Sequence, residues 1–314
     1  MPQLMCAHAD TTEERASDRA RALVKGAYDL HVHVAPDVME RRVDDVTLAE
    51  QYGEYDLAGF VLKSHYVPTA ERAQVVNRVV QGAHAIGAIT LNNAVGGMNA
   101  MAVEIAALEG ARVVWFPTFD ALNEPIGRSH PQEGEIVPMW AKMQRDLRAR
   151  GFVSEPVLVV DDGGEVLPEV IDVLRVIAAH DLVLATGHLS RDEIFAVVDA
   201  ALTHGVKRIV ITHPEFPSQN ISGRDQAALA ERGAFLERCF TTAYTGKTTW
   251  ETMFANIRAS GPRSSFISTD LGQPFNPAVE TGFALMADRM LAAGFRPDEI
   301  ETMAVVNTRA LVVR

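Results

Sequence analysis

The chain has 314 residues, 47% of them hydrophobic, enough to bury the core of one large α/β domain and long for a single sandwich. Its 29 basic and 41 acidic residues leave a formal charge of -12, which repels nucleic acid and anionic lipid, and no run of Lys and Arg offsets it. No apolar stretch approaches the roughly 20 residues needed to cross a bilayer. The expected partner is therefore a small-molecule substrate, with no nucleic acid and no membrane.

Residues 1–26 lack a basic start followed by an apolar core, so they read as the helical lead-in of a cytoplasmic protein. Short runs rich in Val, Ile, Leu and Ala then recur in chain order, each followed by a helix-compatible segment. They are AYDLHVHV from Ala27, GFVLKSH from Gly59, IGAITLN from Ile86, RVVWFPT from Arg112, LVLATGH from Leu182, RIVITHP from Arg208, AFLERCF from Ala234 and SSFISTD from Ser264. Helix candidates such as AVEIAALEGA, EVIDVLRVIAAH, DEIFAVVDAALTHG and DQAALAERG lie between them, apolar at a period near 3.6. Eight strand–helix units in this length predict a (β/α)8 TIM barrel. An open nucleotide-binding sheet is disfavoured, because no Gly-rich phosphate loop follows the first strand.

The whole chain, 1–314, reads as one domain with an interruption at 119–166. Its first part, from Phe119 to Gly151, is too long for an ordinary connection and reads as a lid. Its second, PVLVVDDGGEVLPE, reads as an inserted hairpin turning at Asp162-Gly163-Gly164. The stretch from Thr241 to Pro262 is a second candidate for substrate contacts, and the last two periodic segments look like closing helices.

Only Cys6 and Cys239 are present, far apart, so a metal would have to be held by His and carboxylate ligands. His31 and His33 are spaced i and i+2, which on a strand turns both rings to one face and Val32 into the packing layer. Such a pair suits one cation. His188, His213 and Asp270 each end a predicted strand, and catalytic groups of a barrel gather at that end. Asp29 is expected to face away from the lumen and support an imidazole from behind.

In these residues the chain resembles the amidohydrolase superfamily, whose pattern is HxH after strand one, His after strands five and six, and Asp after strand eight. Within it, DLHVHVAPD, GFVLKSHY, LATGHLS, THPE, GAFLERC and STDLGQP resemble a poorly characterised amidohydrolase-like group. The resemblance implies His31, His33, His188 and His213 as metal ligands and Asp270 as ligand and proton shuttle. It breaks at strand four, where RVVWFPT offers neither the Lys nor the Glu that bridges two metals in many members. Strand two supplies Lys63 and His65 instead, again at i and i+2. His65 is an additional candidate ligand. Lys63 is a candidate catalytic residue: a displaced carbamate bridge, a cation for an anionic substrate, or a structural partner to a carboxylate.

The expected cofactor is one or two divalent ions, zinc first because imidazole and carboxylate suit it, with Mn, Fe or Co accepting the same set. Arg41, Asn92, Glu237 and His130 are the substrate-binding candidates, and a homo-oligomer is expected, as for many barrels. The expected activity is metal-dependent hydrolysis of an amide, cyclic amide, lactone or related ester. The alternatives are a metal-dependent decarboxylase and a non-catalytic metal-binding scaffold.

Overall fold

All eight predicted strands are present and pair in sequence order, β1 through β8, each parallel to the next. They are β1 (Tyr28–Val32), β2 (Gly59–Leu62), β3 (Ala85–Thr90), β4 (Ala111–Trp115), β5 (Val183–Ala185), β6 (Arg208–Ile211), β7 (Phe235–Cys239) and β8 (Ser265–Ser268). The computed structural model describes residues 15–124, 139–152 and 155–313. Helices alternate with the strands around the outside, so the architecture is a (β/α)8 TIM barrel.

The interior floor is apolar: Tyr28, Leu30, Val61, Ala88, Val113, Val183, Val210 and Phe266 form one cluster with Leu311 and Val312 of the last helix, Asn307–Val312. That helix is tied beneath the barrel by Thr308 Oγ1, which accepts the Tyr28 N–H, and by Asn307 Nδ2, which donates to the Ser265 carbonyl. Two further clusters fill the layer between strands and helices. Val32 belongs to one of them, on the outer side as its spacing predicts.

Every strand is shorter at its C-terminal end than the apolar run suggests. The ladder stops before Lys63, Gly187, His213 and Asp270, so Lys63, His188, His213 and Asp270 sit on the connections just past the strands, while His31 and Glu237 lie within β1 and β7. Gly187, His213 and Asp270 all have positive φ, 61°, 24° and 52°, which turns the backbone out of the sheet. β1 also departs from simple alternation. Its register against β2 shifts between Asp29 and Val32, a bulge that re-aims His31.

The lead-in contributes a short helix, Asp18–Leu23, whose cap residue Ser17 bonds Asp288 through N and Oγ, both at 2.6 Å. In the interrupted region, Val157 bridges Ala121, and Val160 pairs antiparallel with Val166 around a turn closed from Gly164 N to Asp161 O. The remainder of the lead-in (1–14) and residues 125–138 and 153–154 of the lid and hairpin segment lie outside the described residues. Among the described residues, no helix is long and apolar enough to cross a membrane.

Candidate metal centre

The bulge in β1 brings both rings of the HxH pair to the mouth of the barrel, where Asp270 arrives from the end of β8. His31 Nε2 and His33 Nε2 lie 3.3 and 3.2 Å from the same oxygen, Asp270 Oδ1. These three side chains could hold one ion between them. The other rings continue the arc: His65 stacks on His33 with centroids 5.0 Å apart, His213 on His31 at 5.9 Å, and His188 meets His213 at 4.9 Å. All five imidazoles are buried. The structure thus gathers every predicted ligand at one mouth, with His31, His33 and Asp270 at its centre and His65, His188 and His213 one ring further out.

The outer nitrogens of His31, His188 and His213 face a carboxylate or amide oxygen, the partners that fix a ligating imidazole's orientation. His31 Nδ1–H donates to Glu237 Oε1 at 3.0 Å, and His188 Nδ1 lies 2.7 Å from Glu124 Oε1. His213 Nδ1 meets Gln219 Oε1 at 2.8 Å, while Gln219 Nε2 donates to the Gly187 and Thr212 carbonyls. With its N–H groups spent, Gln219 can only accept from His213, so Nδ1 carries the proton and the Nε2 lone pair is left for a cation. His65 Nδ1 meets Thr118 Oγ1 at 2.9 Å.

Burial holds His33, His65 and His213 well below the usual imidazole range, helped by Arg41 beside His33, by His33 beside His65 and by His188 beside His213. They are neutral at neutral pH, the form that ligates metal. Burial pushes the Asp270 carboxyl up, but His31 and His33 outweigh it and keep it well below the ordinary carboxylate range. With its Nδ1 proton held by Glu237, His31 presents an Nε2 lone pair, as does His213 behind Gln219, beside the ionised Asp270 carboxylate. That donor chemistry fits a divalent cation. The one positive group inside the cluster is Lys63, whose Nζ lies 2.9 Å from His31 Nε2 and 4.9 Å from the Trp115 ring centre. Burial lowers its pKa, an effect that Asp270 and Glu237 partly offset.

Trp115 fills the interior position of β4 where a bridging Lys or Glu is absent, and its buried indole N–H has no acceptor among the described residues. Asp29, as predicted, turns away from the lumen. It accepts from Thr269 N and Oγ1, from His31 N and from Tyr52 Oη, and burial pushes its carboxyl up to about 6.

The substrate-binding candidates fare differently. Arg41 reaches the site: its side chain is buried against Asp37 at 2.6 Å, with Nη2 3.5 Å from His33 Nδ1. Asn92 is fully buried and spends its amide on His65 O, Thr118 Oγ1 and Thr118 N, so it braces His65 from behind. Glu237 lies beneath His31, 1% exposed, with both oxygens committed inside the protein. His130 lies outside the described residues. Sequence reasoning passed over Glu124, Gln219, Thr118 and Ser268, the polar residues that orient the rings or their supports. Among the other histidines, His84 is exposed, and His180 pairs with Glu104 at 2.9 Å.

Solved structures share this fold. The chain is similar to the probable dipeptidase PvdM from Pseudomonas aeruginosa, at 11% identity and a TM-score of 0.61, covering 93% of this chain and 96% of that one. It is similar to an amidohydrolase from the same organism, at 11% identity and a TM-score of 0.57 over 93% and 98% of the two chains. A third is a putative 2-pyrone-4,6-dicarboxylic acid hydrolase from Pseudomonas putida, at 16% identity and a TM-score of 0.55 over 91% and 97%. These likenesses show the fold, a (β/α)8 barrel shared with these three structures. The chain itself belongs to DUF6282, a family of unknown function, whose pattern matches residues 26–237. No curated protein matches it.

Proposed function

We propose that the protein is a metal-dependent hydrolase that cleaves an amide, cyclic amide, lactone or related ester of a small molecule. The observation that carries this reading is the convergence of His31, His33 and Asp270 on one point, with His65, His188 and His213 around it. His31, His33, His188, His213 and Asp270 would hold the ion, with His65 as an additional ligand. Zinc suits this donor set best, and Mn, Fe or Co could replace it. A divalent cation, when bound, supplies Lewis acidity and a water nucleophile at neutral pH.

The chain's own residues supply the rest. Asp270, ionised and 13% exposed in its side chain, accepts the proton released as water attacks and returns it to the leaving group. Thr241 Oγ1 donates to Asp270 Oδ2 at 2.9 Å and keeps the other oxygen turned to the mouth. Lys63 stabilises negative charge growing on the scissile oxygen. Arg41, buried beside His33, would border the side from which substrate enters.

Lys63 also favours a second reading. Its ammonium has no carboxylate at ion-pair distance among the described residues, so it could clamp a substrate carboxylate in a decarboxylase. The two reactions differ in product: decarboxylation releases carbon dioxide without taking up oxygen from labelled water.

Elemental analysis of protein purified without chelator, beside His31→Ala and Asp270→Ala, tests the proposal. The wild type is expected to carry at least one ion per chain and His31→Ala to lose it. Asp270→Ala, which removes one ligand, should bind metal more weakly and, with metal restored in excess, still lose turnover by about 100-fold or more. A wild type without metal would sink the reading, and activity surviving in Asp270→Ala would remove the proton shuttle.

A further inference from the structure

We infer that Glu237 is a positioning residue that orients two metal ligands at once, His31 through its ring and His213 through its backbone. The inference rests on the metal-centre reading above. Glu237 sits inside the barrel on β7, paired in register with Phe266 of the apolar floor, one step deeper than the mouth. Its Oε1 accepts from His31 Nδ1 at 3.0 Å and from Ser268 Oγ at 2.9 Å, and its Oε2 accepts the His213 N–H at 3.2 Å. A buried carboxylate of this kind is costly unless each oxygen is paired. Here the pairing groups come from β1, from β8 and from the end of β6, the elements that deliver His31, Asp270 and His213. The Glu237 carboxylate fixes His31 as the tautomer with Nδ1–H and aims Nε2 at the mouth. The bond to His213 N holds a backbone already at φ 24°.

Cys239 makes the assignment testable. Its Sγ is 3.2 Å from Ser268 Oγ and 3.8 Å from His31 Nδ1, so His31, Glu237 and Cys239 could themselves enclose an ion. Two roles for Glu237 therefore predict different stoichiometries.

The full-length chain, stripped with a chelator, is titrated with zinc against a chromophoric competitor as wild type, Glu237→Gln and Cys239→Ser. A positioning role predicts zinc affinity about 10- to 100-fold weaker in Glu237→Gln, at unchanged stoichiometry. The thermal midpoint of the metal-free protein should hold, and the cobalt-loaded form should show a shifted visible spectrum, which a purely structural role would not move. Cys239→Ser should bind as the wild type does. If Glu237→Gln fails to fold, Glu237→Asp, which withdraws the carboxylate but keeps its charge, should show the same weakening. Wild-type affinity in the Glu237 variant that folds overturns the inference. So does loss of one whole equivalent in both Glu237→Gln and Cys239→Ser, which would make Glu237 a ligand. A wild type that takes up no zinc removes the metal centre itself and this inference with it.

Discussion

Gly272, two positions beyond Asp270, has φ 126°, and a Cβ placed there would lie 1.5 Å from the His33 carbonyl oxygen. The absence of a side chain is thus what lets the β8 connection pass against the end of β1 and set Asp270 beside both rings of the HxH pair. Gly272→Ala is expected to cost about 3 kcal/mol or more in urea unfolding and to lose metal together with His33 placement. A folded variant with wild-type stability and metal content would show that the close approach is dispensable. At this scale the candidate ligands were legible as a group because they are polar residues in or at the end of apolar runs, and the structure brings them to one mouth. Their supports were not: His31 and Glu237 are 206 positions apart, and nothing local in either segment announces the pair. A signal did exist. Glu237 and Arg238 are adjacent charges in a strand expected to be buried on both faces, and such charges must find partners.

Those adjacent charges face opposite sides of β7, and the element depends on both. Arg238 turns outward, fully buried, and donates to Glu215, Gln226, Ser260 and Ser265, joining β7 to the end of β6, to the helices Gly223–Glu231 and Trp250–Ser260, and to β8. Removing the guanidinium alone leaves Glu215 buried without its main partner. Arg238→Leu is expected to cost about 3–5 kcal/mol by denaturant unfolding, and Glu215→Leu added to it to recover a large part. Equal stability of the single and double variants would count against a paired staple. Strand positions were legible in the sequence because β-branched runs, buried on both faces, recur at regular intervals. Strand ends were not, since LATGH, VITHP and ISTD remain extended in pattern while their backbones turn at Gly187, His213 and Asp270. The bulge in β1 was equally hidden: alternation correctly predicts that both rings share a face, yet His31 reaches it through a register shift.

For the molecule as a whole, the seam between β8 and β1 is where the barrel is thinnest and where the site lies. Seven neighbouring strand pairs form ladders, whereas β1 and β8 are joined by one bridge, Val32 to Leu271, with bonds from Asp270 N to His31 O and from His33 N to Leu271 O. Asp29 reinforces the seam by accepting from both Thr269 N and Oγ1. An ion shared by His31, His33 and Asp270 would tie the same seam from inside, and ligands from β5 and β6 would extend that tie across the mouth. Metal binding should therefore stabilise the fold by about 2.7 kcal/mol at a hundredfold excess over its dissociation constant. The effect should be local as well as global. Hydrogen exchange is expected to slow most at the amides of His33 and Asp270 when metal is added, with the floor strands β3 and β4 nearly unchanged. If added metal raised the melting temperature but protected all strands evenly, the ion would be acting on global stability alone. Protection confined to the seam would mean that one ion both completes the site and closes the barrel, linking loss of activity to the first step of unfolding.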